Sequence, residues 1–344
     1  MTMKKFFAIA AVIAVALTGC VKNDVVNDSS NKEIAFNSYV GKATATKANT
    51  ELPIDAPHFG AFALYHDGAN TWAGDYTAAD IFMNNAEIGY TAPIWKAVAA
   101  KYYWPKVGKL SFLAYSPYNS SASYNVGSAT MTVPAAAITS GQTLTSDFLY
   151  SAATIDKTAN DSQYTLGGSA QGVNIIFKHA GAKVAFKAKL AAGISTTLGT
   201  DGSGVEVKIK EITVKNVLPS ASGNVTVTYD AAGAATIGAI TAGGAAADQT
   251  VCNTESAALT STASDILGNS LYVVPQAATT VTVVYSIKHG ALTAYDTTGT
   301  ITLTGNWESN KSYIYTMIIG FDEIQFDPEV TDWTVVESDV NVLP

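Results

Sequence analysis

Arginine is missing from all 344 residues, so each of the 20 basic side chains is a lysine, and against 28 acidic residues they leave a net charge of −8. Nucleic-acid binding leans on Lys/Arg clusters for phosphate and on arginine for guanine, so this balance argues against such a partner. Charge of either sign is scarce, at 14% of residues. Cysteine occurs only at Cys20 and Cys252, too few for a disulfide scaffold, and a chain of this length can bury an adequate core without one. The motifs of common catalytic sites are missing too: no G-x-S-x-G elbow, H-E-x-x-H helix or P-loop occurs. The four histidines, His58, His66, His179 and His289, lack a second ligand at metal spacing and read as structural. An acidic run, Asp322, Glu323, Asp327, Glu329 and Asp332, lacks the D-x-D-x-D-G pattern of a calcium loop; interleaved with Ile324 and Phe326, it reads as a solvated strand face. The expectation is a protein without cofactor, metal or enzymatic activity.

What is present begins at the N-terminus. Lys4 and Lys5 precede an apolar run from Phe6 to Leu17, too short to span a bilayer, and Leu17-Thr18-Gly19-Cys20 resembles the bacterial lipobox. Residues 1–19 are therefore expected to be a signal peptide and Cys20 a lipidated first residue, in preference to an ordinary secretory signal cut near Ala16. Removal of Lys4 and Lys5 takes the net charge from −8 to −10, so attachment to the outer membrane rests on lipid and not on a basic patch. Residues 20–31 are polar and acidic, which suits a solvated tether. With Cys20 acylated, Cys252 has no intrachain partner.

Beyond the tether, period-two alternation recurs and helical periodicity does not. Val225, Val227 and Tyr229 alternate with threonines; Val281, Val283, Tyr285 and Ile287 form a second series and Tyr313, Tyr315, Met317, Ile319 and Phe321 a third. In the segment from Val173 to Leu190 the apolar set lies on odd positions through Phe177 and on even positions from Val184, so a bulge or bend is expected near Ala180-Gly181; a second phase change falls between Ile209 and Ile212. Bent strands separated by Gly, Asn, Ser and Pro turns predict an all-β chain of two sandwiches. The predicted division is residues 32–168 and 169–344, at Leu166-Gly167-Gly168-Ser169. Residues 233–244 read as a turn or weakly patterned loop. Lys101 to Pro105 and Lys109 to Tyr118 read as two strands about a turn.

Trp72, Trp95, Trp104, Tyr102, Tyr103, Tyr115 and Tyr118 crowd the first half. Exposed aromatics of this kind stack sugar rings, but aromatics are also ordinary strand and core residues. The core reading is favoured.

Several segments resemble the fimbrillin family of Bacteroidetes. They are IAF at Ile34 to Phe36, TKA at Thr46 to Ala48, FGAFALY at Phe59 to Tyr65, YWP at Tyr103 to Pro105, LSFLAYSPY at Leu110 to Tyr118 and DFLY at Asp147 to Tyr150. FKHAGAKVAFKAK at Phe177 to Lys189, VPQ at Val274 to Gln276, W-x-x-N-K-S-Y at Trp307 to Tyr313 and FDPEVTDW at Phe326 to Trp333 continue the series. The resemblance implies a lipoprotein precursor with two tandem transthyretin-like β-sandwiches, exported to the cell surface and built into a pilus after processing. It further implies that a surface protease removes the first strand and that another subunit fills the vacated groove by strand addition. On these residues the removable strand carries Ile34, Phe36 and Val40 as an inward-facing edge strand, and the donor is the C-terminal segment bearing Val330, Trp333, Val340 and Val342. Studied members are cut at arginine; here Lys47 and Lys42 are the basic sites available. Expected partners are other pilus subunits and a receptor on a host or bacterial surface. The competing reading is a monomeric surface glycan-binding lipoprotein.

Overall fold

The alternating patterns become strands through most of the described residues in a computed structural model, which describes residues 32–40, 50–51, 58–67, 72, 76–92, 94–143, 147–159, 172–238, 241–265, 270–320 and 324–333. The leader, Cys20 and the tether lie outside the described residues. The first strands are β1 (Phe36–Val40), β2 (Thr50–Glu51), β3 (Phe59–His66), β4 (Ile81–Thr91), β5 (Ile94–Ala97) and β6 (Lys109–Ser116). They are followed by β7 (Ser123–Asn125), β8 (Thr130–Thr139), β9 (Leu149–Ser151), β10 (Thr154–Lys157) and β11 (Val173–His179). Next come β12 (Ala182–Leu190), β13 (Val205–Val217), β14 (Ser220–Tyr229), β15 (Ala235–Ile237), β16 (Ala242–Gly243), β17 (Ala247–Cys252) and β18 (Ser264–Asp265). The last are β19 (Leu271–Val273), β20 (Gln276–Ala277), β21 (Thr280–His289), β22 (Tyr295–Thr302), β23 (Asn306–Trp307), β24 (Lys311–Ile319) and β25 (Ile324–Asp332). The chain is all-β, as its periodicity predicts; the one helical element described is a 3₁₀ turn at Ala78–Asp80.

The first large sheet closes on itself. Its order runs β6-β3-β4-β5-β1-β11-β9 and returns to β6, with β10 on β6 and β2 on β1. Closure lets one sheet enclose a core of its own: Phe36, Phe59, Met83, Ile88, Phe112, Val173, Ile175 and Phe177 fill the interior. The outer face of β3 and β6 is covered by a second sheet, β15-β14-β8-β7, and Phe62, Leu64, Leu113 and Tyr115 meet Met131, Val133, Ile138, Val225 and Val227 there. Burial on both faces explains why FGAFALY and KLSFLAYS read as nearly unbroken apolar runs where one-sided strands alternate. Gly60 is required in this layer, because a Cβ there would lie 2.3 Å from the Tyr115 ring. The Tyr115 hydroxyl sits 2.7 Å from Asn85 Oδ1 and accepts the Asn119 N–H at 3.1 Å.

Most of the remaining strands form a sandwich, and β20 and β23 pair as a separate two-stranded ladder. One sheet is β18-β12-β24-β25 with β19 on β12, the other β17-β13-β21-β22. Val184, Phe186, Tyr315 and Met317 from the first face Val207, Ile209, Ile212 and Val283 from the second. Both expected phase changes are present. At Ala180-Gly181 the chain leaves the closed sheet as β11 and enters the sandwich as β12, and the β13–β21 register shifts between Ile209 and Glu211. Cys252 ends β17 as a buried free thiol, donating to the Thr254 carbonyl at 3.3 Å.

Three local expectations need adjustment. The segment 233–244 contains β15 and β16, short strands that pair the edge of β14. Lys101 to Pro105 forms a single bridge, Tyr103 with Glu33, and not a full strand, because its backbone partners are residues 32–34 ahead of β1. The junction at 166–169 lies outside the described residues, and strands from either side of it pair: β11 with β1, and β14 with β8.

The covered layer has a pH consequence. Burial pushes the phenols of Tyr115, Tyr124 and Tyr150 from 10.0 up to about 12, and that of Tyr229 is raised as well. The folded state therefore holds these protons more tightly than the unfolded chain does. Their contribution is fully present below pH 10 and is lost as pH rises toward about 12. Chemical denaturation across this range should give stability that is flat to about pH 10 and then falls, with a smaller fall in Tyr124→Phe; an unchanged midpoint at pH 11 to 12 would contradict the buried placement.

Candidate assembly site

β1 is short, and with Ile34 just ahead of it its sequence makes its inner face: Ile34, Phe36, Ser38 and Val40 are 2%, 0%, 3% and 5% exposed. It sits parallel to β11 over five residues, from Phe36 opposite Val173 to Val40 opposite Phe177. Its other side is matched piecemeal. The Ile34 N–H donates to the Tyr102 carbonyl at 2.8 Å, and the Trp104 N–H donates to the Lys32 carbonyl at 3.1 Å. Phe36 pairs Trp95 of β5, and Tyr39 and Val40 pair Glu51 and Thr50 of β2. The expected edge strand is thus an interior strand of a closed sheet. A period-two pattern says which face is inward but nothing about whether a second neighbour is present.

Side-chain packing holds β1 more firmly than its seam does. Phe36 lies edge-on to Phe59 at 5.8 Å and to Phe112 at 5.6 Å, and Phe59 in turn contacts Trp95 and Phe177 at 5.5 and 5.6 Å. On the outer face Asn37 Nδ2 donates to the Gly172 carbonyl and to Asn174 Oδ1, each at 3.2 Å. Gly172 is needed for this approach, since a Cβ there would fall 2.7 Å from the Phe36 carbonyl carbon. A Lys96–Glu33 ion pair at 3.0 Å is partly solvated and contributes little. Ser38 Oγ is buried with no hydrogen-bond partner among the described residues, a feature that works against β1.

Lys42 and Lys47 fall in residues 41–49, between β1 and β2 and outside the described residues. At the other end, Val330 lies in β25 opposite Tyr313 with its side chain 53% exposed, and Trp333 is 3% exposed. The Trp333 ring is held between His179, at 3.5 Å between centroids, and Tyr272, at 5.5 Å. The Trp333 backbone N–H donates to the Asn310 carbonyl at 2.9 Å. Asn310 Oδ1 accepts the His179 N–H at 3.1 Å, while His179 Nδ1 meets the Asp147 carboxylate. Burial beside the Asp147 carboxylate raises the Tyr272 phenol. Val330 and Trp333 are therefore built into the fold; Val340 and Val342 lie outside the described residues. Sequence reading took His179 as structural but did not join it to Asp147, Asn310 and Trp333, because those partners are far away along the chain; the positive φ of 59° at Asn310 leaves only an Asn-Lys turn signal.

The seven aromatics weighed as a sugar platform are mostly structural. Trp72, Trp95 and Tyr115 are buried, and Trp104, Tyr102, Tyr103 and Tyr118 are half-buried.

A family model described as fimbrillin-like matches residues 42–333, a span that begins just after β1 and stops at Trp333. A fimbrial protein from Bacteroides vulgatus is similar in structure, with a TM-score of 0.55 and 17% identity over 88% of this chain and 100% of that one. A candidate cell adhesion protein from Bacteroides uniformis gives 0.43 and 18% over 88% and 99%, and one from Bacteroides ovatus 0.44 and 16% over 90% and 100%. No curated protein matches.

Packing of Phe36 and the lone hydroxyl of Ser38 make opposite predictions. Phe36→Ala should lower stability by about 3–5 kcal/mol, and Ser38→Ala should be neutral or stabilising, because it removes a buried group without a partner. Urea unfolding of both variants checks this; equal losses would mean that β1 is not held by its inner face.

Proposed function

The chain belongs to the fimbrillin-like family, and from that premise we propose that it is a structural or adhesive subunit of a cell-surface fimbria, assembled by exchange of β1 for a strand from a second subunit. The observation that carries this reading is the position of β1. It is one stave of a closed sheet, its inner face fully buried and its backbone held on one side by fragments, and the only covalent link from it to the body of the protein runs through residues 41–49 with Lys42 and Lys47.

Cleavage at either lysine frees β1. Its loss uncovers Phe59, Phe112 and Phe177 and leaves the backbone of β11 without its parallel partner, a ready template for a new strand. Each of Ile34, Phe36 and Val40 contributes roughly 1.5–3 kcal/mol by burial, so an empty groove is strongly driven to refill. The donor is the segment after Trp333, where Val340 and Val342 alternate with polar residues. Trp333 itself stays clamped and fixes where that segment starts. A donor at one end and an acceptor elsewhere make a heterologous contact that does not close, which gives a filament. Lipid on Cys20 places the precursor at the outer membrane, and the cut that frees β1 also frees the subunit from that lipid.

Limited trypsin digestion should cut between β1 and β2 and leave a compact core that forms ladders of oligomers. Deletion of residues 334–344, which spares β25 and Trp333, should abolish the ladders and leave soluble monomers. Ladders that persist without the tail reject it as donor. A clipped core that stays monomeric at high concentration rejects strand exchange and favours a monomeric surface binder.

A further inference from the structure

Away from β1, a pocket of about 440 Å³ opens where the β20–β23 ladder meets the end of β15. Its apolar wall is Ile237 and Pro275, with the Trp307 side chain almost wholly buried behind, and its polar side chains are Gln276, Asn306, Glu308 and Ser309. The frame is fixed from behind. Gln276 Oε1 accepts the Leu218 N–H at 2.8 Å, Trp307 Nε1 donates to the Tyr315 hydroxyl at 3.0 Å, and the Glu308 N–H donates to the Tyr313 hydroxyl at 2.9 Å. The Gly238 N–H donates to the Thr226 carbonyl at 2.7 Å and holds the opposite lip. The pocket is therefore preformed.

The lining selects a ligand class. No lysine contributes to it and its one charge is the Glu308 carboxylate, so phosphates and carboxylates are repelled. A single carboxylate is far short of the roughly 6–8 oxygen ligands that calcium takes. A wholly apolar ligand would strip water from Asn306, Glu308 and Ser309 without replacing their hydrogen bonds. A neutral ring with one apolar face and a rim of hydroxyls satisfies both walls, since a carboxylate and an amide in one lining accept from and donate to hydroxyls. We propose that this pocket is a binding site for a neutral carbohydrate of hexose size. Its volume lies within the range of small-ligand sites, about 300–1,000 Å³, and its open shape makes each site weak. Resting on the fimbrial reading above, one site per subunit along a filament converts weak single contacts into strong multivalent attachment.

Saturation-transfer NMR on the purified protein tests this with the methyl glycosides of galactose, glucose and mannose, with N-acetylglucosamine, and with inorganic phosphate as the anionic control observed by its own resonance. At least one neutral sugar should bind, phosphate should not, and Glu308→Gln combined with Asn306→Ala should weaken the sugar at least tenfold, as loss of a charge-assisted hydrogen bond does. The same double variant should form ladders normally after trypsin, so failure of the pocket and failure of assembly are read separately. Absence of binding by every neutral sugar at tens of millimolar overturns the proposal, as does binding that the double variant leaves unchanged.

Discussion

Insertion of Phe36 between Phe59 and Phe112 is the contact that closes the first large sheet. A sheet that closes must bring its first and last staves together, and here the join is β1, parallel to β11 on one side and matched only in fragments on the other. Backbone pairing across that seam is too sparse to define the ring. The interior side chains do so instead, and β1 is held as a plug is held. The closed interior then lets β3 and β6 carry apolar residues on both faces, which in turn gives β8 and β14 a surface to cover. Three cores follow from one closure together with the sandwich beyond β11.

β11 touches both the first strand and the last described residue, Trp333. Its first five residues receive β1, and its last, His179, stacks on Trp333 while pairing with Asp147. The acceptor strand of the proposed groove and the root of the proposed donor tail are therefore adjacent along one strand. Two buried ionisable groups and an aromatic stack hold Trp333 in place, as the proposed strand exchange requires of the residue at the root of the donor.

Much of this was legible in the sequence, and the limits have physical causes. The phase changes at Ala180-Gly181 and at Ile209 to Ile212 marked where strands bend, because the period of two is exact and any slip shows. The buried positions of Ile34, Phe36 and Val40 followed from the same rule. The interior placement of β1 did not, since its partner β11 lies about 135 residues away and parallel pairing leaves no local trace. The unbroken apolar runs of β3 and β6 were the available clue that some strands are covered on both sides. Val330 and Trp333 were expected to be donated but are part of the fold, because alternation alone cannot tell a strand that pairs within the chain from one that pairs outside it. The pocket beside Trp307 draws on strands far apart in sequence and had no motif to announce it.

The central claim is that β1 is separable from the body it completes. Native-state hydrogen exchange on the intact protein measures this directly, through the amides of residues 36–40 against those of β3 and β6. The account predicts that β1 amides exchange through a local opening of lower free energy than global unfolding, while β3 and β6 exchange only with the whole molecule. Exchange of β1 at the global free energy, together with β3 and β6, would contradict it.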